Sequence, residues 1–600
     1  MKPMKRELYR SQLKSNGSGD GMLRIVKEVL FSEDSRDFGY MADNVPCQKA
    51  CPAVTNIPGY IRCISEGRFG RSYELNRIYN ILPATLGRIC SRPCEAACRH
   101  GESDLGEPVN ICYLKRSAAD LKPAMHRIKE DLYAPSGKSV GIIGAGPAGI
   151  GAAHDLAVYG HNVTLYESMP EPGGMLRYGI PAFRLPRDIL SLEIENVLRL
   201  GVELETGIRV GHDILLKDLL KRHDAVITTV GCMEPNRIGV EGEDLDGVIS
   251  GLDFMVRTNL GSAPSVGKQV VVIGDGFTAM DCARMSLRLG AEKVRINILA
   301  TEEFMPVDDH EVHEVKLEGG RIYSLVSTNR ILGSSGRVEG IEFLRTRLED
   351  TADGKGRIAV PIADSEFVMD ADTIICAIGQ QPKVDFADSL ALDGKRIQVA
   401  PDGFRTSVDR LYAAGDCVTG ATNVISALAA GRRAAGEVDT LFAGRRRKVL
   451  SVRIEPAEQT DREREFDFIK PVLMPTLPLE ERFASAENEV EKGYGESEAN
   501  KESLRCYLCS LKYEIDVSRC IYCSMCIDVA PRDCIKMISD VEVREDGTYG
   551  EYDETGNWNE VVAIAIDNKR CIRCGQCYDV CPMNCIHITK TELVEVDREE

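Results

Sequence analysis

Two stretches near the end of the chain nearly superimpose: residues 520–534 read CIYCSMCIDVAPRDC and residues 571–585 read CIRCGQCYDVCPMNC. Three thiolates at C-x2-C-x2-C spacing on a tight loop seize three irons of a [4Fe–4S] cube, and a fourth cysteine, followed by proline, serves the neighbouring cube. Cys581, before Pro582, therefore completes the group opened by Cys520, Cys523 and Cys526. The second group has Cys571, Cys574 and Cys577, but its matching fourth position is Ala530. Cys534 lies four residues further on, about one helical turn, so its thiolate reaches the same side. Cys585 holds the equivalent place in the other repeat and is the reserve ligand; a three-iron cluster is the remaining reading. Zinc is the plain alternative, and tandem duplication argues against it.

Between the repeats, residues 536–569 read as a polar hairpin insertion. Upstream, Cys506 and Cys509 form one more CxxC, either half of a metal site completed elsewhere or a pair of surface cysteines. A second cysteine-rich region lies near the start: VPCQKACPAVTNIPG (45–59) and GRICSRPCEAACRHG (87–101). Cys90, Cys94 and Cys98 recur at intervals of four and share one face of a helix. With Cys47 and Cys51 they make five thiols where one cube needs four.

Composition decides between metal and disulfide. Twenty-two cysteines in a small secreted protein would mean disulfides, but here most sit in two dense groups in a 600-residue chain without a signal peptide's apolar centre. Metal ligation follows, and Cys232, Cys282, Cys376 and Cys417 are left as single core residues. The length implies three or four domains. A net charge of −19 argues against nucleic acid as a partner, and no apolar run approaches a membrane span. A cytoplasmic location is the expectation.

Residues 138–167 read KSVGIIGAGPAGIGAAHDLAVYGHNVTLYE. A strand leads into Gly144-Ala145-Gly146-Pro147-Ala148-Gly149, then a helix, then a second strand ending in Glu167. The glycines allow a tight turn and close approach of a pyrophosphate, and the acid is placed for ribose hydroxyls. A second unit starts at QVVVIGDGFTAMD (269–281), with Gly274, Gly276 and Ala279 in the glycine positions. LYAAGDCVTGATNVISAL (411–428) brings a further strand to Gly415 and Asp416, ahead of another helix. Two nested nucleotide folds imply two nucleotides, a flavin and a nicotinamide.

From about Val45 to Phe442 the chain resembles the small subunit of glutamate synthase and its relatives. Those include the flavin subunits of NADH-dependent ferredoxin:NADP oxidoreductases and the N-terminal part of dihydropyrimidine dehydrogenase. The resemblance is carried by the cysteine cap, GAGPAG (144–149), PGGMLRYGIPAFRLP (172–186), GDGFTAMD (274–281), CAIGQQP (376–382) and AAGDCVTGATNVISAL (413–428). It implies FAD at Gly144, Gly146, Pro147, Ala148, Glu167, Gly174, Met175, Arg184, Asp416, Thr422 and Asn423. It implies NAD(P)H, as substrate, at Gly276, Phe277, Thr278, Ala279, Ala377, Ile378 and Gly379. No proton-shuttling catalytic residue is expected, because the cofactors carry the chemistry.

The expected fold is α/β: a helical iron–sulfur cap (1–135), an FAD-binding domain (136–255 and 365–445), a nested Rossmann-like NAD(P)-binding domain (256–364), a linker (446–505) and a bacterial-ferredoxin-like α+β module (506–600). Three departures from the family matter. The two cysteines that usually precede Cys47 are missing from SEDSRDFGYMADNVP (32–46), so one N-terminal cluster is expected, on Cys51, Cys90 and Cys94 with Cys47 or Cys98 as the fourth ligand. The polar ligand of some relatives falls at Lys115, a poor ligand. The arginine pair that grips a 2′-phosphate is Leu299-Ala300, and Phe277 replaces an asparagine in the phosphate loop. The expected function is electron transfer between NAD(P)H, FAD and [4Fe–4S] clusters, one N-terminal and two C-terminal. Its partners are other redox subunits of a hetero-oligomeric complex, with ferredoxin as a further acceptor. The rivals are a glutamate synthase small subunit and a relay subunit without a working nicotinamide site.

Overall fold

The computed structural model describes residues 44–102, 106–124, 130–351, 357–387, 389–516, 518–543 and 549–597. The start of the chain, including residues 32–43 of the segment read for absent cysteines, lies outside the described residues.

Two parallel five-stranded sheets carry the middle of the chain. In the first, Ser139–Ile143 lies between Ala225–Thr228 and Asn162–Glu167, with Leu411–Ala413 and Glu203–Thr206 at the edges. Its inner strands are apolar because both faces are covered, and Val140, Ile142, Val226 and Ile227 are fully buried. Helix Pro147–Val158 packs against the long helix Val424–Ala443. That close approach needs glycine: a Cβ on Gly431 would overlap the Ala148 carbonyl oxygen, and one on Gly151 would stand 2.7 Å from that of Leu428.

The second sheet runs in the order Val248–Ser250, Thr373–Cys376, Gln269–Ile273, Lys293–Asn297, Arg321–Tyr323. An antiparallel insertion, residues 326–370, precedes Thr373–Cys376 in sequence. The chain crosses into this domain and returns along two short paired strands, Glu234–Pro235 and Gln380–Gln381. The sequence division gave residues 248–255 and 365–376 to the first module, whereas here both contribute strands to the second. Thr373–Cys376 is buried at all four positions. Such an apolar run fits the centre of either parallel sheet, so pattern alone could not assign it.

The cap is helical: Ile57–Ser65, Phe69–Tyr79, Pro83–Ile89 and Ile111–Asp120. Asn56 starts the first of these by accepting from Gly59 N at 3.0 Å. Residues 446–505, read as a tether, are instead a packed strap. Lys448–Pro456 pairs antiparallel with Ile586–Asp597, which also pairs with Leu511–Ile515. Further along, Val490 N donates to Phe183 O (3.0 Å), Arg88 pairs with Glu489 (2.7 Å), and Arg482 is buried against Glu314 and Glu318. Charge-rich sequence reads as solvated because only tertiary partners make burial of an arginine tolerable. Strands Ile535–Val543 and Tyr549–Glu554 pair as the expected hairpin. One continuous apolar core joins cap, first sheet and C-terminal module.

Candidate redox site

A cavity of about 1700 Å³ lies outside the carboxyl ends of both parallel sheets, lined by residues of each. Open α/β sheets place ligands there. Small-molecule sites usually span about 300–1,000 Å³, so this one accommodates two nucleotides side by side.

The first glycine loop is built as a phosphate cradle. Gly144 adopts φ +98, and a Cβ there would stand 2.8 Å from Thr229 O. A Cβ on Gly149 would overlap the Gly144 carbonyl oxygen, so this glycine sets helix against strand. At Gly146 a Cβ would meet only Gly174 Cα at 3.8 Å; the space it faces is left for a ligand. Glu167 is buried and accepts from Ala145 N and Met169 N, both at 2.8 Å. The carboxylate fixes the loop and still has lone pairs for ribose hydroxyls. Opposite, Asn423 caps the long helix by accepting from Ser426 N (2.9 Å), and Asp416 accepts from the Thr422 hydroxyl (2.7 Å). Burial raises the Asp416 carboxyl above its ordinary range against that bond.

The second loop repeats the plan. Gly274 has φ +140, and a Cβ on Gly276 would meet nothing within 4 Å. Asn297, at the end of its strand, is buried with neither side-chain atom hydrogen-bonded, and it lines the cavity. Buried amides of this kind want a partner, and a nucleotide supplies one. Sequence reasoning passed over Asn297; its place as the last residue of the second strand after a glycine loop was the available signal. Phe277, Thr278, Ala377, Ile378 and Gly379 line the same wall, with Leu299 half-exposed beside them. Gly174, Met175 and Arg184 face the cavity from the first module, but the Arg184 guanidinium is engaged by Asp281 (3.0 Å) and Glu311 (2.7 Å). It thereby ties the two modules together. Ala145, Gly149, Ala279 and Gly415 sit behind the lining. A Cβ on Gly415 (φ +80) would press on the Ala148 methyl at 2.8 Å.

Ile89 and Ser91 also border the cavity, which sets Cys90 at its edge. Cys51, Cys90, Cys94 and Cys112 gather around the buried Lys115 ammonium. Burial disfavours that charge, but the negative charge these four sulfurs carry as thiolates outweighs burial and pushes the lysine upward. The fourth member thus differs from expectation. Cys112, one turn before Lys115 on helix Ile111–Asp120, takes the place assigned to Cys47 or Cys98. Those two turn toward Cys506 and Cys509 of the C-terminal module. Cys112 was overlooked because it stands alone in NICYLKR, with no cysteine spacing to flag it.

In the C-terminal module Cys534 lies against Cys571, with Cys574 and Cys577 around it. The interaction between these two sulfurs holds the Cys571 thiol below its ordinary range and pushes Cys534 upward. Cys520, Cys523, Cys526, Cys581 and Cys585 line a small separate cavity, and Cys585 Sγ is 3.4 Å from Cys581 Sγ. Both CxxC turns share one conformation. Tyr522 (φ 55) and Arg573 (φ 59) are left-handed, and each donates its N–H to the sulfur two residues earlier, Cys520 or Cys571, at 3.4 Å. Among the described residues no three Cys, His, Asp or Glu converge as a single-ion site. Ligands of a cube are spread apart by its own metal and sulfide atoms. His310, in the run DDHEVHEV (308–315), is hydrogen-bonded to Glu491 of the strap at 2.9 Å. The Cys534→Ala variant is expected to lower iron per chain, by one if a three-iron cluster persists and by four if the cluster is lost; an unchanged iron count removes Cys534 as a ligand.

Family models match these regions: pyridine nucleotide-disulphide oxidoreductase over residues 138–431, dihydropyrimidine dehydrogenase domain II with its 4Fe-4S cluster over 30–127, and a 4Fe-4S binding domain over 564–587. Fold, cavity, thiol groups and these matches mark the class of chains that join a pyridine nucleotide-disulphide oxidoreductase domain to 4Fe–4S-binding domains. The chain is 40% identical over 421 residues to the NADP(+)-dependent formate dehydrogenase subunit beta of Moorella thermoacetica, covering 66% of this chain and 59% of that one. It is 39% identical over 358 residues to the NADPH-Fe(3+) oxidoreductase subunit beta of Geobacter sulfurreducens, covering 58% and 53%. It is 35% identical over 418 residues to the glutamate synthase [NADPH] small chain of Escherichia coli, covering 65% of this chain and 87% of that one. The chain belongs to the family of the glutamate synthase small chain, while it spans little more than half the length of the first two relatives.

Proposed function

We propose that this chain is an electron-transfer subunit that takes hydride equivalents from a nicotinamide nucleotide and delivers single electrons to a partner redox subunit. One observation carries the reading: a single cavity is lined by both glycine loops and bordered by the turn that holds Cys90. FAD, once bound, supplies the conversion between a hydride's two electrons and the single electrons that iron–sulfur cubes carry. The chain's own residues bind and orient. Gly144–Gly149 and Glu167 hold one nucleotide, and Gly274–Thr278, Asn297 and Ala377–Gly379 hold the other. Cys51, Cys90, Cys94 and Cys112 make the first metal group beyond the cavity. Cys571, Cys574, Cys577 and Cys534 make another, and Cys520, Cys523, Cys526 and Cys581 the outermost. Cys523 is exposed, which gives a docking partner or ferredoxin access to that last group. No helix among the described residues is long and apolar enough to cross a membrane, in keeping with a cytoplasmic complex. The relatives named as subunits of formate dehydrogenase, Fe(3+) oxidoreductase and glutamate synthase support a hetero-oligomeric setting.

The test is to mix anaerobically purified protein with NADH or NADPH and follow flavin absorbance. Residues 299–303, of which Leu299 lines the cavity, carry no cation for a 2′-phosphate, so NADH is expected to bleach the flavin faster. A faster NADPH reaction would shift the grip to another cavity cation such as Arg209, Arg237 or Lys383. Failure of both, with FAD present, would overturn the dehydrogenase reading. The bulk of Phe277 in the phosphate loop would then mark the chain as a relay fed by its partner.

A further inference from the structure

The CxxC at Cys506–Cys509 lies outside the two ferredoxin-like repeats, yet its turn copies theirs. Leu508 is left-handed at φ 50, and its N–H donates to Cys506 Sγ at 3.4 Å, as in the turns at Tyr522 and Arg573. A leucine in that conformation is strained, and a turn that repeats the strain at three CxxC sites has a shared purpose. The N–H that the turn aims at sulfur is the bond that stabilises a thiolate on a metal.

The turn is buried against the cap. The His100 and Tyr507 rings lie 4.8 Å apart, so the residues after Cys98 meet the residue after Cys506. Arg505 donates to Pro108 O (2.9 Å) and Glu107 O (2.6 Å), and Glu502 accepts from Asn110 N at 2.8 Å. Helix Pro46–Ala50, which carries Cys47, packs on Pro93–Ala96, just ahead of Cys98. The Cys98 sulfur accepts from the backbone of Val109 and His100. Cys47 is buried with Cys509, Cys98 and Cys506 as its thiol neighbours. Four thiols from three distant parts of the sequence thus share one neighbourhood, spaced too widely for a single ion, and none of the four belongs to the groups already described.

We propose that Cys47, Cys98, Cys506 and Cys509 together hold a [4Fe–4S] cube at the seam between the cap and the C-terminal module. This rests on the electron-transfer reading only for its purpose, not for its existence. Its position joins the others: Tyr60 is flanked by Cys94, Cys112, Cys47 and Cys51, and Arg462 lies near both Cys506 and Cys574.

The test uses the full chain, reconstituted anaerobically with iron and sulfide. Cys506→Ser/Cys509→Ser and Cys47→Ser/Cys98→Ser are each expected to lose about four irons and to keep their FAD. The quadruple variant is expected to lose no more than either pair, because all four serve one cube. Cys63→Ser, a buried cysteine outside every group, is the control and keeps the full count. Additive losses, an unchanged iron count, or one zinc per chain in place of the lost iron would overturn the proposal. Should a paired variant fail to fold, the wild-type protein decides. Cys506 and Cys509 are expected to resist alkylation in the native loaded protein and to react after chelation, read by peptide mass spectrometry. Labelling of both in the loaded state would refute the site, whatever the nucleotides do.

Discussion

Gly276→Ala is expected to fold, keep its FAD and lose affinity for the nicotinamide nucleotide. The added methyl meets no protein atom within 4 Å and needs no unusual backbone angle, since Gly276 has φ −89. It stands instead where a pyrophosphate approaches the start of helix Phe277–Arg288. A weakening of about 10- to 100-fold, roughly 1.4–2.7 kcal/mol, is expected in the half-saturating concentration for flavin bleaching. Gly149→Ala makes the contrast, because there the methyl would overlap the Gly144 carbonyl oxygen and stand 2.8 Å from Thr229 Oγ1. Pushing helix from strand costs about 1–3 kcal/mol and distorts the flavin loop, so this variant is expected to lose flavin and melt earlier. Acid-released flavin and a thermal melt separate the two outcomes. Equal effects on flavin in both variants would mean that the two loops do not serve separate nucleotides.

Lys115→Met is expected to lower the reduction potential of the cap group held by Cys51, Cys90, Cys94 and Cys112. Removing the buried ammonium leaves more uncompensated negative charge beside the cube, and added charge disfavours the reduced state. A unit charge about 6 Å away, at an effective dielectric constant of about 20, contributes roughly 3 kcal/mol, on the order of 100 mV for one electron. Lys115→Arg keeps the charge and is expected to shift the potential far less. An anaerobic titration followed by electron paramagnetic resonance reads both. An unmoved potential in Lys115→Met would show that the ammonium does not tune this cluster.

Much of this architecture is legible before any coordinates. A glycine loop leaves a clear mark because strand, turn, helix and acid must follow one another at fixed spacing, as from Ser139 to Glu167. The C-x2-C-x2-C loops are equally plain, since three ligands of one cube come from seven residues. Legibility ends where a site is assembled from distant pieces. Cys112 has no cysteine neighbour, and Cys506 and Cys509 carry half a motif whose other half lies some four hundred residues earlier. The strap fails for a related reason. Glu489, Glu491 and Arg482 look like solvated charge until Arg88, Arg116, His310, Glu314 and Glu318 close around them. The boundary between the dinucleotide domains was misplaced because a four-residue buried strand fits either sheet.

Because the cap is closed by residues 482–515, it is also a question of timing. A ribosome adds about 5–20 residues per second, so the cap emerges some 20–80 seconds before Glu502, Arg505 and the turn at Cys506 exist to cover it. During that interval Arg88 and Arg116 have Asp120 of the cap but not Glu489 and Glu491 of the strap, and the cap's cysteines lack the cover of the C-terminal module. The nascent chain therefore has a window in which metal must be delivered late or the half-built cap must be shielded, and a chain cut before residue 506 would carry that exposure for its whole life.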